Sequence, residues 1–380
     1  MNKISNSFFF DSSKVRYAPS RSTRRPIWVA GCAIAVGVCL SLSSQARGSE
    51  LHAEAAAPSG CNPVFAAAIE YDKGVQTSVA AHPSGLFIEF HQTELPGDET
   101  IYYRFGRSDG TRVVWGTSQK SGLYGYWPSV AVNKEGCLLV VVSDSKYKNG
   151  SRLDYRVGKI QPYGGNDQSL TWLTEKTFWD NGFHASVAIN DEGVIAGVHE
   201  TGHASTGLYY RVGHFIDPAA GNFAIYFDSG PWGRWYDDGI NPHIALNNLN
   251  QIVEVHQVRN ENLLHYWRGT VENGQIQLNG SRRYHNDAEQ PAVALLDSGI
   301  VLEAHVDADK SAVIVTSGTL NADDPAQIDW AASTGLGGVG SFNTTCYPAL
   351  AADGMEVVAT FSGWDWNLGS LAHAVGKICP

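Results

Sequence analysis

The amino-acid sequence predicts an all-β fold, a six-bladed β-propeller whose N-terminal strand closes the last blade. Three observations predict it. A unit recurs six times, each unit carries strand-like patterning, and the last unit lacks a strand that an extra one ahead of the first can supply. Composition agrees, with 40 Gly, 11 Trp, 16 Tyr and 14 Phe in 380 residues, because glycine turns between aromatic and β-branched runs suit pleated, half-buried strands.

The recurring unit is clearest at Ser129–Gly136 and Ser186–Gly193, both reading Ser-Val-Ala-x-Asn-x-Glu-Gly, with a third copy at Ser78–Gly85. Weaker copies begin at His243, Ala292 and Ala349, so successive units start 51, 57, 57, 49 and 57 residues apart. Steps of that size fit one four-stranded blade each and exceed ankyrin or leucine-rich units. Inside a unit, the alternating Ser-Val-Ala segment is followed by a turn and a second strand, as in Leu86–His91, Val194–His199, Ile252–His256 and Ile300–His305. A third strand follows (Ile101–Gly106, Leu153–Gly158, Leu208–Gly213, Leu264–Gly269), and then a fourth that often carries Trp, as at Trp115, Trp172 and Trp330. Period-2 alternation bounded by Gly, Asn and Asp marks short antiparallel strands.

The ends follow from the same alignment. The last unit stops at its third strand, Leu371–Ile378, while Phe65–Tyr71 precedes the first Ser-Val-Ala where every other unit has its fourth strand. Residues 64–71 are therefore expected to complete the last blade, which removes free sheet edges. That closure brings Cys61 beside Cys379, predicting a disulfide, whereas Cys137 and Cys346 fall in blades not expected to touch and are predicted unpaired.

Residues 1–46 read as an export signal. Lys14, Arg16, Arg21, Arg24 and Arg25 lead into the 16-residue apolar run Ile27–Leu42, which ends at Ser44-Gln45-Ala46 with small residues where a signal peptidase reads. The run is shorter than the roughly 20 residues of a spanning helix, so cleavage rather than a stable membrane anchor is expected. The segment around Arg24-Arg25 also resembles the twin-arginine export pattern. Residues 47–60 form a flexible linker, 61–380 form the propeller, and the mature protein is expected to be secreted or periplasmic. It holds 21 basic and 37 acidic residues, a net charge of −16, which disfavours nucleic acid and anionic membranes as partners.

The loops of one propeller face are rich in aromatic and polar residues. The candidate ligand-binding residues are Trp127, Trp179 and His184, then Trp232, Arg234, Trp235 and Asp237, then Tyr284, Trp364 and Trp366. Flat aromatic rings stack on the apolar faces of sugars while Asp, Arg and His bind hydroxyls; the competing reading is that these rings fill the wedges between blades. A second constellation, His91, His199, His256 and His305, occupies one position in four units, with Glu89, Glu254 and Glu303 two residues earlier on the same strand face. A feature that follows the repeat reads as structural, a buried hydrogen bond between strands or blades. Arg104, Arg156 and Arg211 recur likewise, to grip a ligand or to tie a blade. No zinc spacing, nucleophile elbow or evident carboxylate pair is present, so no metal, cofactor or catalytic residue is assigned.

With Ser186–Gly193, Glu254–Gln257 and Leu208–Gly213 in view, the units resemble tandem repeats of secreted bacterial β-propeller proteins. Six units of this size are also similar to the six-bladed fucose-binding lectins, a resemblance that implies sugar held between blades by Arg, Glu and Trp, although their spacing of those residues is not reproduced. The repeated Ser-x-Asp-x-Gly-x-x-Trp turn of sialidases is absent. The expected function is a secreted, lectin-like propeller binding glycans or a glycosylated surface, more in keeping with recognition than catalysis. The alternatives are a polysaccharide-active glycoside hydrolase or lyase, and a protein-recognition scaffold.

Overall fold

The structure, a computed structural model, describes residues 63–93, 97–144, 152–161, 168–201, 206–216, 224–280, 283–284, 288–309, 312–336, 346–363 and 369–378. The expected export signal and linker, both cysteines of the expected disulfide, Trp364 and Trp366 lie outside these residues. The described residues hold no helix, and so none long and apolar enough to cross a membrane.

Six antiparallel sheets form a six-bladed β-propeller. The inner strands are Val75–His82, Tyr126–Val132, Phe183–Ile189, Ile240–Leu246, Ala288–Leu295 and Ala349–Asp353 for blades one to six. Each lies beside the inner strands of both neighbouring blades, which closes the ring. The second strands are Leu86–Gln92, Cys137–Ser143, Val194–Glu200, Gln251–Gln257, Ile300–Asp307 and Glu356–Gly363. In blades one to four and in blade six the outer strand is not the single segment the sequence suggests but two short ones, for example Ile225–Phe227 and Arg234–Asp238 in blade three. Strand twist accumulates outward across a blade, and a break lets the outermost chain keep pairing.

The expected closure is present. Val64 pairs with Lys377, Phe65 with Gly376, Ile69 with His373 and Lys73 with Ser370, so the N-terminal strands are the outer edge of blade six.

Period-2 alternation explains the nearly unbroken apolar second strands. In blade two, Leu138, Val140 and Val142 pack towards blade one, whereas Leu139 and Val141 pack towards blade three. In blade five, Val301 faces blade four while Leu302 and Ala304 face blade six. Both faces of a sheet are thus buried, and the core consists of six clusters, one at each junction between blades.

The repeat residues tie these junctions. Ser78 Oγ accepts the Val130 N–H at 3.1 Å, Ser129 Oγ that of Val187 at 3.0 Å, and Ser186 Oγ that of Ile244 at 3.1 Å. His243 fills the fourth such position, its Nδ1 accepting the Val293 N–H at 3.2 Å. On the opposite face, turn residues link blades two to five, with Lys134 N–H to Asp191, Asp191 N–H to Asn248 and Asn248 N–H to Asp297, at 2.7–2.9 Å.

The recurrent histidines are buried, as are Glu89, Glu254 and Glu303, and each of those Glu carboxylates accepts from the Nδ1 of its His. An aspartate from the preceding blade's outer strand completes the group at three junctions. Asp72 pairs with Arg104 and approaches His91 Nε2 (3.8 Å). Asp180 lies 3.4 Å from His199 Nε2 and 3.7 Å from Arg211, while Asp237 lies 3.6 Å from His256 Nε2 and accepts the Trp267 indole N–H at 2.8 Å. Burial works against ionisation of Asp180, but hydrogen bonds and charge from His199, the Asn181 N–H and Arg211 outweigh it and hold its carboxyl below the usual range.

Arg104 is buried, so Asp72→Ala strips a desolvated guanidinium of its main partner. A loss of about 3 kcal/mol is expected, read from the urea midpoint of the mature protein. A loss under about 1 kcal/mol would reduce the pair to the value of an exposed ion pair.

Candidate ligand-binding site

At the mouth of the central channel each blade contributes one side chain, on its inner strand in blades one to five and just ahead of it in blade six, two residues before the Ser, His or Ala of the repeat. These are Gln76, Trp127, His184, Asn241, Gln290 and Tyr347, and together they line an open cup of about 550 Å³ counted to its rim. The channel continues below between residues such as Val79, Val130, Val187 and Ile244.

The backbone of this ring is unusual. Gln76, Trp127, His184, Asn241 and Gln290 have φ of 55°, 49°, 47°, 51° and 55°, and each sits at a shift of pairing between inner and second strand. A left-handed residue at a bulge is ordinarily Gly. A side chain there costs about 1 kcal/mol, and non-glycine residues held so recurrently concentrate where function uses them. Pro128, Pro242, Pro291 and Pro348 follow four of the ring residues, which suits a bulge because proline brings no N–H to satisfy.

Neighbouring blades hold the ring in place. Gln76 Oε1 accepts the Trp127 N–H at 2.9 Å. Glu200 Oε1 accepts from His184 Nδ1 at 2.6 Å and from the Asn241 N–H at 2.7 Å. Gln257 Oε1 accepts from Asn241 Nδ2 at 3.1 Å and from the Gln290 N–H at 3.4 Å. Glu200 and Gln257 directly follow the recurrent His199 and His256, so the buried junction and the cup share a strand end. The Trp127 and His184 rings meet edge-on with centroids 3.9 Å apart, and His184 lies 6.2 Å from the Tyr347 ring. Burial, opposed by the Trp127 indole, pushes the Tyr347 phenol up to about 12, so it is a neutral hydrogen-bonding group at any ordinary pH. Among the described lining residues there is no Asp, Glu, Lys or Arg.

Of the residues expected from sequence, Trp127 and His184 come together in the cup. Trp179 is corrected. It lies in the outer strand Thr177–Asp180 of blade two, is 0% exposed, and packs edge-on against Tyr155 and Phe227, where no ligand reaches. Asp237 is likewise buried at a junction. Arg234 is exposed, as are Trp232 and Trp235 at 56% and 58%, but on the outer part of blade three rather than in the cup. The backbone of Tyr284 pairs with His265. Gln76, Asn241, Gln290 and Tyr347 were not singled out from sequence. Aligning the six units two residues upstream of Ser-Val-Ala exposes them, since that column reads Gln, Trp, His, Asn, Gln, Tyr.

No protein-family model matches the chain, and no curated protein matches it by sequence. Solved structures do match by fold. A mutant of Trypanosoma rangeli sialidase displaying trans-sialidase activity has a TM-score of 0.54 at 10% identity, over 83% of this chain and 58% of the sialidase. A Hadza microbial sialidase has a TM-score of 0.50 at 11% identity, over 80% and 66%. A Dyadobacter fermentans protein of unknown function has a TM-score of 0.52 at 13% identity, over 84% and all of that chain. The chain thus spans little more than half the length of the first sialidase, and the likeness is one of fold.

The cup also carries an acid-sensitive link. Burial, only partly offset by the charge of Glu303, holds His243 down at about 4, and burial with Arg112 nearby does the same to His373. The unfolded chain takes up these protons near pH 6.5, before the folded one does. Stability is therefore complete above that pH and falls as the pH drops towards 4. His243→Ser restores the serine of three other blades, keeping an acceptor while removing the proton site. Its thermal midpoint is expected to decline less between pH 6.5 and 4 than that of the parent, and superimposable profiles would exonerate His243.

Proposed function

We propose that this protein is an exported carbohydrate-binding propeller that takes its ligand at the mouth of the central channel. The observation that carries this reading is the ring of five non-glycine residues at positive φ, which present amides, an indole and an imidazole into one cup beside Tyr347. Amides pair with hydroxyls as donor and acceptor, and aromatic rings cover sugar C–H faces. A six-bladed fold like that of sialidases is consistent with a glycan partner, and the apolar N-terminal run with export. The alternative, a glycoside hydrolase, draws on the same likeness. Hydrolysis of the common kind needs two carboxylates across one bond, and the described lining of the cup offers amides and aromatic rings instead.

A glycan array on the mature protein, followed by calorimetry on the best hit, tests this. Trp127→Ala and Gln290→Ala are expected to weaken binding about tenfold or more, near 1.4 kcal/mol each. Loss of binding in Trp232→Ala with Trp127→Ala unaffected would move the site to blade three. Cleavage of the hit would favour the hydrolase, and silence on every glycan would defeat both readings.

A further inference from the structure

The junction between blades three and four departs from its counterparts. Opposite His91 and His199 the third strand carries Tyr102 and Tyr209, and each phenol ring stacks on its histidine with centroids 5.8 and 5.9 Å apart. Opposite His256 stands His265, a smaller ring that meets it edge-on at 5.5 Å. With no tyrosine there, His265 forms the buried wall of a second pocket, of about 670 Å³ counted to its rim. Thr206, Asp238 and Gly239 of blade three form one side of it, and Arg259 and Glu261 in the hairpin of blade four form the other. Hydrogen bonds hold both sides. The Gly239 N–H donates to the Thr206 carbonyl at 2.7 Å, Thr206 Oγ1 donates to Asp238 at 3.2 Å, and the Val258 N–H donates across the hairpin to the Leu263 carbonyl at 2.8 Å.

This pocket adjoins the cup. The second strand of blade four, Gln251–Gln257, ends beside the cup, so the hairpin that follows stands on the same face. Asn241 of the cup is two residues from Gly239 of the pocket, at most about 7 Å along the chain. Gln257 also joins them, since its Oε1 accepts from Asn241 and Gln290 while its Nε2 donates to the Glu261 carbonyl at 3.2 Å. Their chemistry differs. The described lining of the cup carries no Asp, Glu, Lys or Arg, whereas the pocket carries Asp238, Arg259 and Glu261.

We infer that this pocket is a second sugar subsite, and that the ligand is a linked oligosaccharide with one unit in the cup and the next against Asp238, Arg259 and Glu261. The inference rests on the carbohydrate-binding reading and deepens it. Carboxylates accept from sugar hydroxyls and a guanidinium donates to them, and such charge-assisted bonds are roughly twice as strong as neutral ones. Walls fixed before the ligand arrives lower the ordering cost of binding. Two linked units at adjoining sites also gain by effective concentration, so the whole is held more tightly than either unit alone.

Calorimetry at pH 7.5 with the methyl glycosides of glucose, galactose and mannose, and with disaccharides and trisaccharides of the same sugars, provides the test. Wild type is expected to bind its best oligosaccharide about tenfold or more tighter than the matching methyl glycoside. His265→Tyr restores the residue of blades one and three and fills the pocket. Asp238→Ala combined with Glu261→Ala removes two exposed carboxylates, and an unchanged thermal midpoint certifies either fold. Both variants are expected to bring the oligosaccharide to within about threefold of the methyl glycoside, whose own affinity stays within about twofold of wild type. An oligosaccharide held no more tightly than the glycoside by wild type, or a gain that survives in a folded variant, would overturn the inference and leave carbohydrate binding standing. A gain lost in Trp232→Ala instead would do the same. Failure of folded wild type to bind any mono- or oligosaccharide would remove both.

Discussion

Each sheet of this molecule is apolar on both faces, and that requirement governs the rest of the structure. A sheet such as blade two cannot bury Leu138, Val140 and Val142 together with Leu139 and Val141 unless a neighbour stands on either side. The last blade must then meet the first, and the strand that completes it has to come from the other end of the chain. Val64–Phe65 and Ile69–Lys73 supply it. The closing strand also delivers Asp72 to Arg104 and His91, so the seam of the ring is held by the same group of residues as two of the continuous junctions. Apolar packing accounts for closure, and the buried ionic and hydrogen-bonded groups fix how neighbouring blades register.

The fold was legible because its signals are repetitive. Ser-Val-Ala marks inner strands, and the displaced Phe65–Tyr71 segment marks closure, without any long-range inference beyond the period. The site was legible only in part. Trp127 and His184 stood out as aromatic and polar residues near a strand start, but so did Trp179, and the two kinds of position are alike in composition. They differ in radius. A residue at the start of an inner strand reaches the axis, whereas one on an outer strand faces the next blade, and one-dimensional pattern does not distinguish them until strands are numbered within the blade. Gln76, Asn241 and Gln290 escaped notice because isolated amides carry no motif. Their significance lies in a backbone conformation that sequence does not display.

The recurrent His, Arg and Asn residues show why repetition and function are poor proxies for each other here. Asn133, Asn190 and Asn247 accept backbone N–H groups of their own turns, Arg156 and Arg211 donate to backbone carbonyls of the preceding blade, and the histidines are buried. These positions repeat because every junction poses the same packing problem. The ring around the cup repeats in backbone conformation at five of its six positions but varies in side chain, reading Gln, Trp, His, Asn, Gln and, at the sixth, Tyr. A frame that conserves geometry while diversifying what it presents is suited to recognising one asymmetric ligand on a pseudo-symmetric scaffold. Glu200 and Gln257 connect the two layers, since each follows a junction histidine and holds residues of the cup.

The account stands or falls on where a ligand sits. A crystal structure of the mature protein with its tightest glycan is predicted to show the sugar on the channel axis, hydrogen-bonded to Gln76, Asn241 or Gln290 and in contact with Trp127 and His184. A sugar stacked instead on Trp232 and Trp235 at the outer part of blade three, with the cup unchanged, would contradict it.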